Sequence, residues 1–247
     1  MTTGISLKID LFLSRAEIQQ NLLKDRLVVI IDVLRASTSM ITALANGCRG
    51  IIPVSETNQA KKLAQNFPPE SILLCGERNE VLIPGFDLSN SPLEYTVDKV
   101  NGKKIIFTSS NGSKLFDYVQ SAQKTIVAGF VNISTVSKFI IESKLDAAIL
   151  CAGKNGQFGL EDVVCGGMIV DKMVDLKTDI SNLNDGAIAA LAMYRSFAEN
   201  ITGMMYQASH GKRLIEIGQE VDLITCGKID SIEMIPILNG NELVSLS

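Results

Sequence analysis

"RLVVIIDVLRASTSMITALANGC", residues 26 to 48, decides how the rest of the chain is read. The apolar, largely β-branched run ends on Asp32, and a stretch with helical spacing follows until Gly47. A short, continuously apolar run fits a strand buried on both faces, and glycine is a common helix stop. Working outward, the alternation repeats. "RGIIPVS" (49–55), "SILLCGE" (71–77), "KKIIFTS" (103–109), "KTIVAGF" (124–130) and "LDAAILCAG" (145–153) read as strands. "ETNQAKKLAQNF" (56–67) and "NISTVSKFIIESK" (132–144) read as helices, with "NGSKLFDYVQSA" (111–122) between strands. Strands alternating with helices imply right-handed crossovers and an α/β fold, a mainly parallel sheet covered by helices.

After Gly159 the pattern turns helical: "LEDVVCGGMIVDKMVDL" (160–176), "NDGAIAALAMYRSFAEN" (184–200) and "HGKRLIEIGQEVDLITC" (210–226). In the closing stretch, Asn239-Gly240 between two β-like runs signals a hairpin. Two unlike α/β lobes are expected, residues 1–130 and 131–247, and the polar "TDISNLNDG" (178–186) is the weakest-packed connection.

The 247 residues are 46% hydrophobic and 20% charged with net charge −4, which excludes a disordered chain and a basic nucleic-acid binder. Cys48, Cys75, Cys151, Cys165 and Cys226 form no CxxC pair, so neither a zinc site nor a disulfide framework is expected. Lys8 and Asp10 interrupt what a signal peptide needs as an apolar core, and no apolar run approaches the ~18 residues of a membrane span. The expectation is a soluble cytoplasmic protein without membrane or nucleic-acid partners, compatible with a homo-oligomer.

In open parallel sheets, ligands bind beyond the carboxyl ends of strands. Those ends carry Asp32, Arg35, Ser37 and Thr38; then Glu77; then Ser110, Asn111 and Gly112; then Asn132; then Gly153 to Gly159 with Glu161 and Asp162. The turns "RAST" and "SSNGS" lead from strand into helix, where backbone N–H groups favour anions. Arg35 adds a planar fork for phosphate or carboxylate. Asp32, Glu77, Glu161 and Asp162 are candidate ligands for Mg²⁺, which prefers carboxylate and water oxygen. Anion donors beside a metal suit phosphoryl transfer. Each residue also has a structural alternative. Ser37 or Thr38 can cap a helix, Glu161 and Asp162 can favour a helix dipole, and Arg35 can pair with Asp32. The single histidine, His210, is either a helix cap or a general acid. The DxD, cysteine-phosphatase, P-loop, GxSxG and HExxH patterns are absent from the sequence.

"IDVLRASTS", "CGE", "LSNSP" (88–92), "TSSNGS" (108–113), "GFVNIS" (129–134), "CAGKNGQFGLED" (151–162) and "SHGKRL" (209–214) appear in that order. Together they resemble the 2-phosphosulfolactate phosphatases of coenzyme M biosynthesis, over residues 28 to 214. The resemblance implies Mg²⁺-dependent hydrolysis of (R)-2-phospho-3-sulfolactate to 3-sulfolactate and phosphate. Carried over by position, it marks Asp32, Arg35, Ser37, Glu77, Asn90, Ser91, Asn111, Glu161, Asp162 and His210 as site residues. Asp32, Arg35 and His210 are the catalytic candidates, with Asp32 either a nucleophile or a metal ligand. Ser37, Thr38, Asn90, Ser91, Ser110, Asn111, Gly112 and Asn132 are the substrate-binding candidates. Ser37 and Ser39 stand where the family usually has threonine, and the hydroxyl donors are kept. A polyanionic substrate needs further cations, for which Arg78, Lys154, Lys212 and Arg213 lie in candidate loops. A hydrolase or lyase acting on another small anionic acid is the alternative activity, and a non-catalytic anion-binding protein the remaining one.

Overall fold

The computed structural model describes residues 7–175 and 182–246. Residues 178–181 of the polar connection lie outside that range. Strands β1 (Ile9–Phe12), β2 (Leu27–Ile31), β3 (Gly50–Pro53), β4 (Ile72–Arg78), β5 (Val81–Leu82), β6 (Lys104–Thr108), β7 (Lys124–Ala128), β8 (Ala147–Cys151), β9 (Pro236–Asn239) and β10 (Glu242–Ser245) form one sheet. Its order is β1-β8-β2-β7-β9-β10-β3-β6-β4-β5. The helices are α1 (Ala36–Ala45), α2 (Thr57–Ala64), α3 (Val97–Val100), α4 (Ile133–Ser143), α5 (Leu160–Asp175), α6 (Asp185–Phe197), α7 (Ile201–Gln207), α8 (Ser209–Glu216) and α9 (Val221–Cys226). The chain is α/β, as its alternating pattern requires.

β2 is buried at every residue. Side chains alternate across a strand, so Leu27, Val29 and Ile31 pack on one face against α4 and α5, with Ile133, Val136, Val163 and Ile169. Val28 and Ile30 pack on the other face against Met40 and Ile41 of α1. Neither face meets water, which is why the run shows no polar alternation. Each such side chain contributes about 1.5–3 kcal/mol by leaving water.

The sheet holds two parallel blocks. β1, β8, β2 and β7 make one; β3, β6 and β4 make the other. Between them lies the C-terminal hairpin of β9 and β10, whose two-residue turn, Gly240–Asn241, falls one residue past the expected Asn239-Gly240 signal, with Asn239 closing the strand pair opposite Glu242. Both junctions are antiparallel, Ile126 against Ile237 and Leu243 against Ile51, so the second block runs formally opposite to the first. A sheet twists by roughly 20–25° per strand, so the steps from β2 to β4 accumulate a turn on the order of 120–150°. That turn brings the carboxyl ends of the two blocks toward the same region, with α1 against β3, β7, β9 and β10 in the concavity. Hydrogen bonding also crosses residue 130 repeatedly, since β8 pairs with both β1 and β2. The sheet is therefore continuous across the boundary placed there from sequence. β1, which the sequence reading passed over, forms its outer edge.

Residues 210–226 read from sequence as one helix, but the chain breaks them into α8 and α9 at Gly218, whose φ is 74°. The break points Gln219 and Asp222 inward. No helix among the described residues is long and apolar enough to cross a membrane. All five cysteines are free and buried, and burial pushes the Cys75, Cys151 and Cys165 thiols well above their usual range.

Gly218 has open space where a Cβ would stand, so substitution there tests backbone strain alone. Gly218→Ala is expected to lower unfolding free energy by about 1–2 kcal/mol, read by urea denaturation. A variant as stable as the parent would mean that the break does not depend on the left-handed residue.

Candidate active site

The loop after β2 is tied down at both ends. The Asp32 N–H donates to Ser37 Oγ at 2.8 Å, and the Ser37 N–H donates to the Asp32 carbonyl at 2.8 Å. The Asp32 carboxylate accepts from the Ala36 N–H. The first N–H groups of α1 are thus spent on Asp32 itself, so the anion held at this helix start is the protein's own carboxylate. Gly112 lets the loop after β6 close on it. A Cβ there would penetrate Asp32 Oδ2 and stand 3.0 Å from Ala36 Cβ.

Asp32, Arg35, Glu77, Asn90, Ser110, Asn111 and His210 line one narrow cleft, joined by Leu34 and Glu80. Three strand ends therefore meet, those of β2, β4 and β6. Glu77 is held by backbone and hydroxyl: Oε1 accepts from the Ser110 N–H at 2.7 Å, and Oε2 from the Glu80 N–H at 2.8 Å and Ser110 Oγ at 3.0 Å. Asn111 Oδ1 accepts from the Asn155 N–H at 3.0 Å, which draws the loop after β8 to the cleft. Asn90 Oδ1 is buried there without a hydrogen-bond partner.

Arg35 follows a cis Leu34–Arg35 peptide and is itself buried. Its partner is Asp222, at 2.6 Å, and not Asp32. Nη1 also donates to Gln219 Oε1, and Nη2 to the Glu80 carbonyl at 3.2 Å. Asp222 is buried too and accepts from Ser91 Oγ at 2.7 Å. His210 Nδ1 lies 3.3 Å from Glu161 Oε1, and Nε2 lies 3.8 Å from Glu80 Oε1.

The other sequence candidates stand outside the cleft lining. Ser37 and Thr38 are buried in α1, with Thr38 Oγ1 donating to the Val33 carbonyl at 3.1 Å. Ser91 serves Asp222. Asn132 is fully buried; its Oδ1 accepts from the Gly129 N–H and its Nδ2 donates to the Met234 carbonyl at 2.9 Å, anchoring the segment before the hairpin. Asp162 ties three elements together, with Oδ1 accepting from the Val33 N–H at 2.8 Å and Oδ2 from the Gly153 N–H at 2.9 Å. Of the loop cations, Arg78 turns away to the Ser55 carbonyl and Thr108, Lys212 is exposed, and Lys154 reaches Glu80 at 2.7 Å. The sequence reading missed Glu80, Gln219 and Asp222. Asn79, a residue type favoured in turns, was the one available hint in the sequence; in the structure it and Glu80 both have positive φ, 53° and 66°.

Burial pushes the Asp32 carboxyl up to about 6, aided by Glu77 and Glu161 and opposed by His210 and the Ala36 N–H. Burial, then Glu161 and Asp32, also drive Asp162 well above the usual range. Such crowding of carboxylates is what a divalent cation would relieve. Among the described residues no set of three His, Cys, Asp or Glu is arranged to cage a metal. Mg²⁺ asks for less, since it is commonly bound through one or two carboxylates with waters and substrate phosphate completing the shell. Asp162 has both oxygens committed to backbone N–H groups, and Glu77 likewise. Asp32 and Glu161 each carry fewer contacts against about four lone-pair sites per carboxylate, and Asn90 Oδ1 supplies an unpartnered acceptor beside Asp32. The donor set therefore fits Mg²⁺ at Asp32 and Glu161.

Removing one partner of a buried ion pair strands the other. Asp222→Ala should cost about 3–5 kcal/mol in urea unfolding for that reason. A loss under about 1 kcal/mol, the level of a surface pair, would show that Arg35 does not depend on Asp222.

Residues 12–241 match the family model described as 2-phosphosulpholactate phosphatase. A protein of Caldanaerobacter subterraneus, described as "Probable 2-phosphosulfolactate phosphatase", is 41% identical over 218 residues, 88% of this chain and 90% of the relative. Relatives with the same description come from Symbiobacterium thermophilum, 36% identical across 91% of this chain and 96% of that protein, and Clostridium acetobutylicum, 35% identical across 96% and 100%. With the match running through every strand that feeds the cleft, the chain belongs to the 2-phosphosulfolactate phosphatase family.

Proposed function

We propose that the protein hydrolyses 2-phospho-3-sulfolactate to 3-sulfolactate and inorganic phosphate, with Mg²⁺ required. The observation that carries this reading is the pairing, in one cleft, of a buried carboxylate at Asp32 with a fixed guanidinium at Arg35.

Arg35 has five N–H groups, and three are spent on Asp222, Gln219 and Glu80. The two left, on Nε and Nη2, are neighbours on the guanidinium plane and match two phosphate oxygens. Those three fixed contacts hold the fork in place before substrate arrives, so little reorganisation is needed as phosphorus becomes trigonal. Asn90 and the Ser110–Asn111 loop position the substrate beside it. His210, steadied at Nδ1 by Glu161, presents Nε2 to protonate the leaving alkoxide as the P–O bond breaks. The water oxygen ends in phosphate. Asp32 and Glu161 would hold Mg²⁺, which when bound supplies a Lewis acid for the phosphoryl oxygens and lowers the pKa of its water.

The charge count favours a cation. Asp32, Glu77 and Glu80 line the cleft and Glu161 lies beside His210; Lys154 and Arg213 offset only part of that charge, and Arg35 is already balanced by Asp222. A substrate with phosphate, carboxylate and sulfonate would meet net negative charge without added metal.

The direct test is phosphate release from 2-phosphosulfolactate with Mg²⁺ and after chelation. Release is expected only with the metal, and Asp32→Asn should lower kcat by about 10³-fold or more, the scale of losing a group that acts in the transition state. Undiminished release in EDTA would remove the metal from the reading. An inactive parent enzyme that hydrolyses other phosphomonoesters would move the assignment to another substrate.

Metal and proton compete for Asp32. Its folded pKa is raised above the unfolded value of 3.8 to about 6, so the ionised carboxylate lowers stability above that pH, and this cost is absent below 3.8. Mg²⁺ should therefore raise the melting temperature clearly at pH 7.5 and little at pH 5. An equal shift at both values would place the ion elsewhere.

A further inference from the structure

We propose that Lys154 and Arg213 form the subsite for the substrate's sulfonate, and that Glu80 occupies this subsite as an internal stand-in until substrate arrives. The inference deepens the reading above and rests on it.

Glu80 lies at the tip of the β4–β5 hairpin, in the two-residue turn closed by the Arg78–Val81 pair. It is a non-glycine residue at φ 66° with left-handed Asn79 before it. L-residues with side chains seldom hold that region without compensation. The backbone is held by its neighbours, since the Glu80 N–H donates to Glu77, the Asn79 N–H to Ser110 Oγ at 3.2 Å, and the Glu80 carbonyl accepts from Arg35. Those bonds fix where the side chain starts, and it points among three basic side chains. Lys154 Nζ is 2.7 Å from Oε1, His210 Nε2 3.8 Å from the same oxygen, and Arg213 Nε 3.8 Å from Oε2. Burial alone would raise the Glu80 carboxyl, yet Lys154, His210 and Arg213 hold it below its usual value. Lys154, Arg213 and the cleft-lining His210 thus converge on one carboxylate.

These cations come from separate parts of the chain: Lys154 from the tight turn after β8, closed by its own pairing with Gln157, and Arg213 and His210 from α8. Nothing in the packing of the apolar cores calls for them to meet here. A second anion, beyond the phosphate on Arg35, does. The long side chain of Glu80 can swing out while its backbone stays bonded, and a tetrahedral sulfonate, with three acceptor oxygens, would take over Lys154 and Arg213. The Arg213 side chain is 43% exposed and also touches Glu216 at 3.1 Å, so it can turn without unpacking. A substrate lacking the sulfonate would have to leave Glu80 in place, which makes this corner the source of selectivity.

The test is calorimetric binding of 3-sulfolactate and of lactate, its analogue without sulfonate, to the whole protein with Mg²⁺ present. Binding of product needs no turnover, so a failed phosphatase assay and a failed subsite read differently. The parent should bind sulfolactate more tightly than lactate. Lys154→Met and Arg213→Met should each weaken sulfolactate by roughly 10-fold or more, the size of a lost charge-assisted contact, and weaken lactate much less. Glu80→Gln, which removes the competing charge, should tighten sulfolactate. If both cation variants bind sulfolactate as the parent does, or lose the two ligands equally, Lys154 and Arg213 only anchor the hairpin and the subsite is overturned. If Glu80→Gln binds sulfolactate no better than the parent, Glu80 is not a stand-in.

Discussion

The carboxylates of Asp32, Glu77, Glu161 and Asp162 are buried within one small region, and burial by itself disfavours each of them in ionised form. For Asp32, Glu77 and Asp162 the chain meets this with backbone N–H groups from the segments that follow the strands, while Glu161 faces His210 Nδ1. Asp162 holds Val33 and Gly153, Glu77 holds Ser110 and Glu80, and Asp32 holds Ala36. The dependence is mutual. Without the carboxylates the loops would bury unpaired donors; without the loops the carboxylates would lose their only hydrogen-bonded support. The site is therefore not set upon a finished scaffold, because the same bonds shape the ends of β2, β4, β6 and β8.

The alternation of strand and helix was legible because buried parallel strands keep short β-branched runs, and α4 carries its helical period clearly. The polar strand ends were legible for a similar reason, since an apolar run that stops on Asp32 or Glu77 leaves a carboxylate at the sheet edge. Partner choice among strands was not. Nothing local in "IPILNGNELVSLS" says that its hairpin would separate two blocks and reverse one of them. Nor does a hydroxyl or amide after a strand say whether it will face a ligand or a neighbouring backbone group. Ser37 and Asn132 took the second course and Asn90 and Asn111 line the cleft, although all four look alike in sequence. Asp222 was hidden for another reason. It sits in a helix between exposed Val221 and Ile224, where a charge reads as solvent-facing, and only the break at Gly218 turns it onto Arg35.

Arg35 illustrates why a buried cation needs more than an incoming anion. With Asp222 it forms a neutral, desolvated pair that spans 187 residues of sequence and secures α9 against the loop after β2. A guanidinium so paired keeps its planar donors but contributes little net charge to the cleft. It can orient a phosphoryl group, while attraction must come from elsewhere.

That separation gives the cleft a direction. At one end stand Asp32 and Glu161, short of cations and suited to a divalent ion; at the other, Lys154 and Arg213 crowd around Glu80. His210 spans the two, with Nδ1 toward Glu161 and Nε2 toward Glu80. A molecule with a phosphate on one carbon and a second strong anion on the next can satisfy both ends in one orientation only. Reversed, its phosphate would lie away from Arg35 and from the carboxylates proposed to hold the metal. In the proposed reading the ends do different work, one for chemistry and one for choice, and His210 is the group through which occupation of the second end can be felt at the first. Its ring cannot move toward Glu80 without lengthening the contact to Glu161, so the position of the proton donor depends on what the cationic end holds.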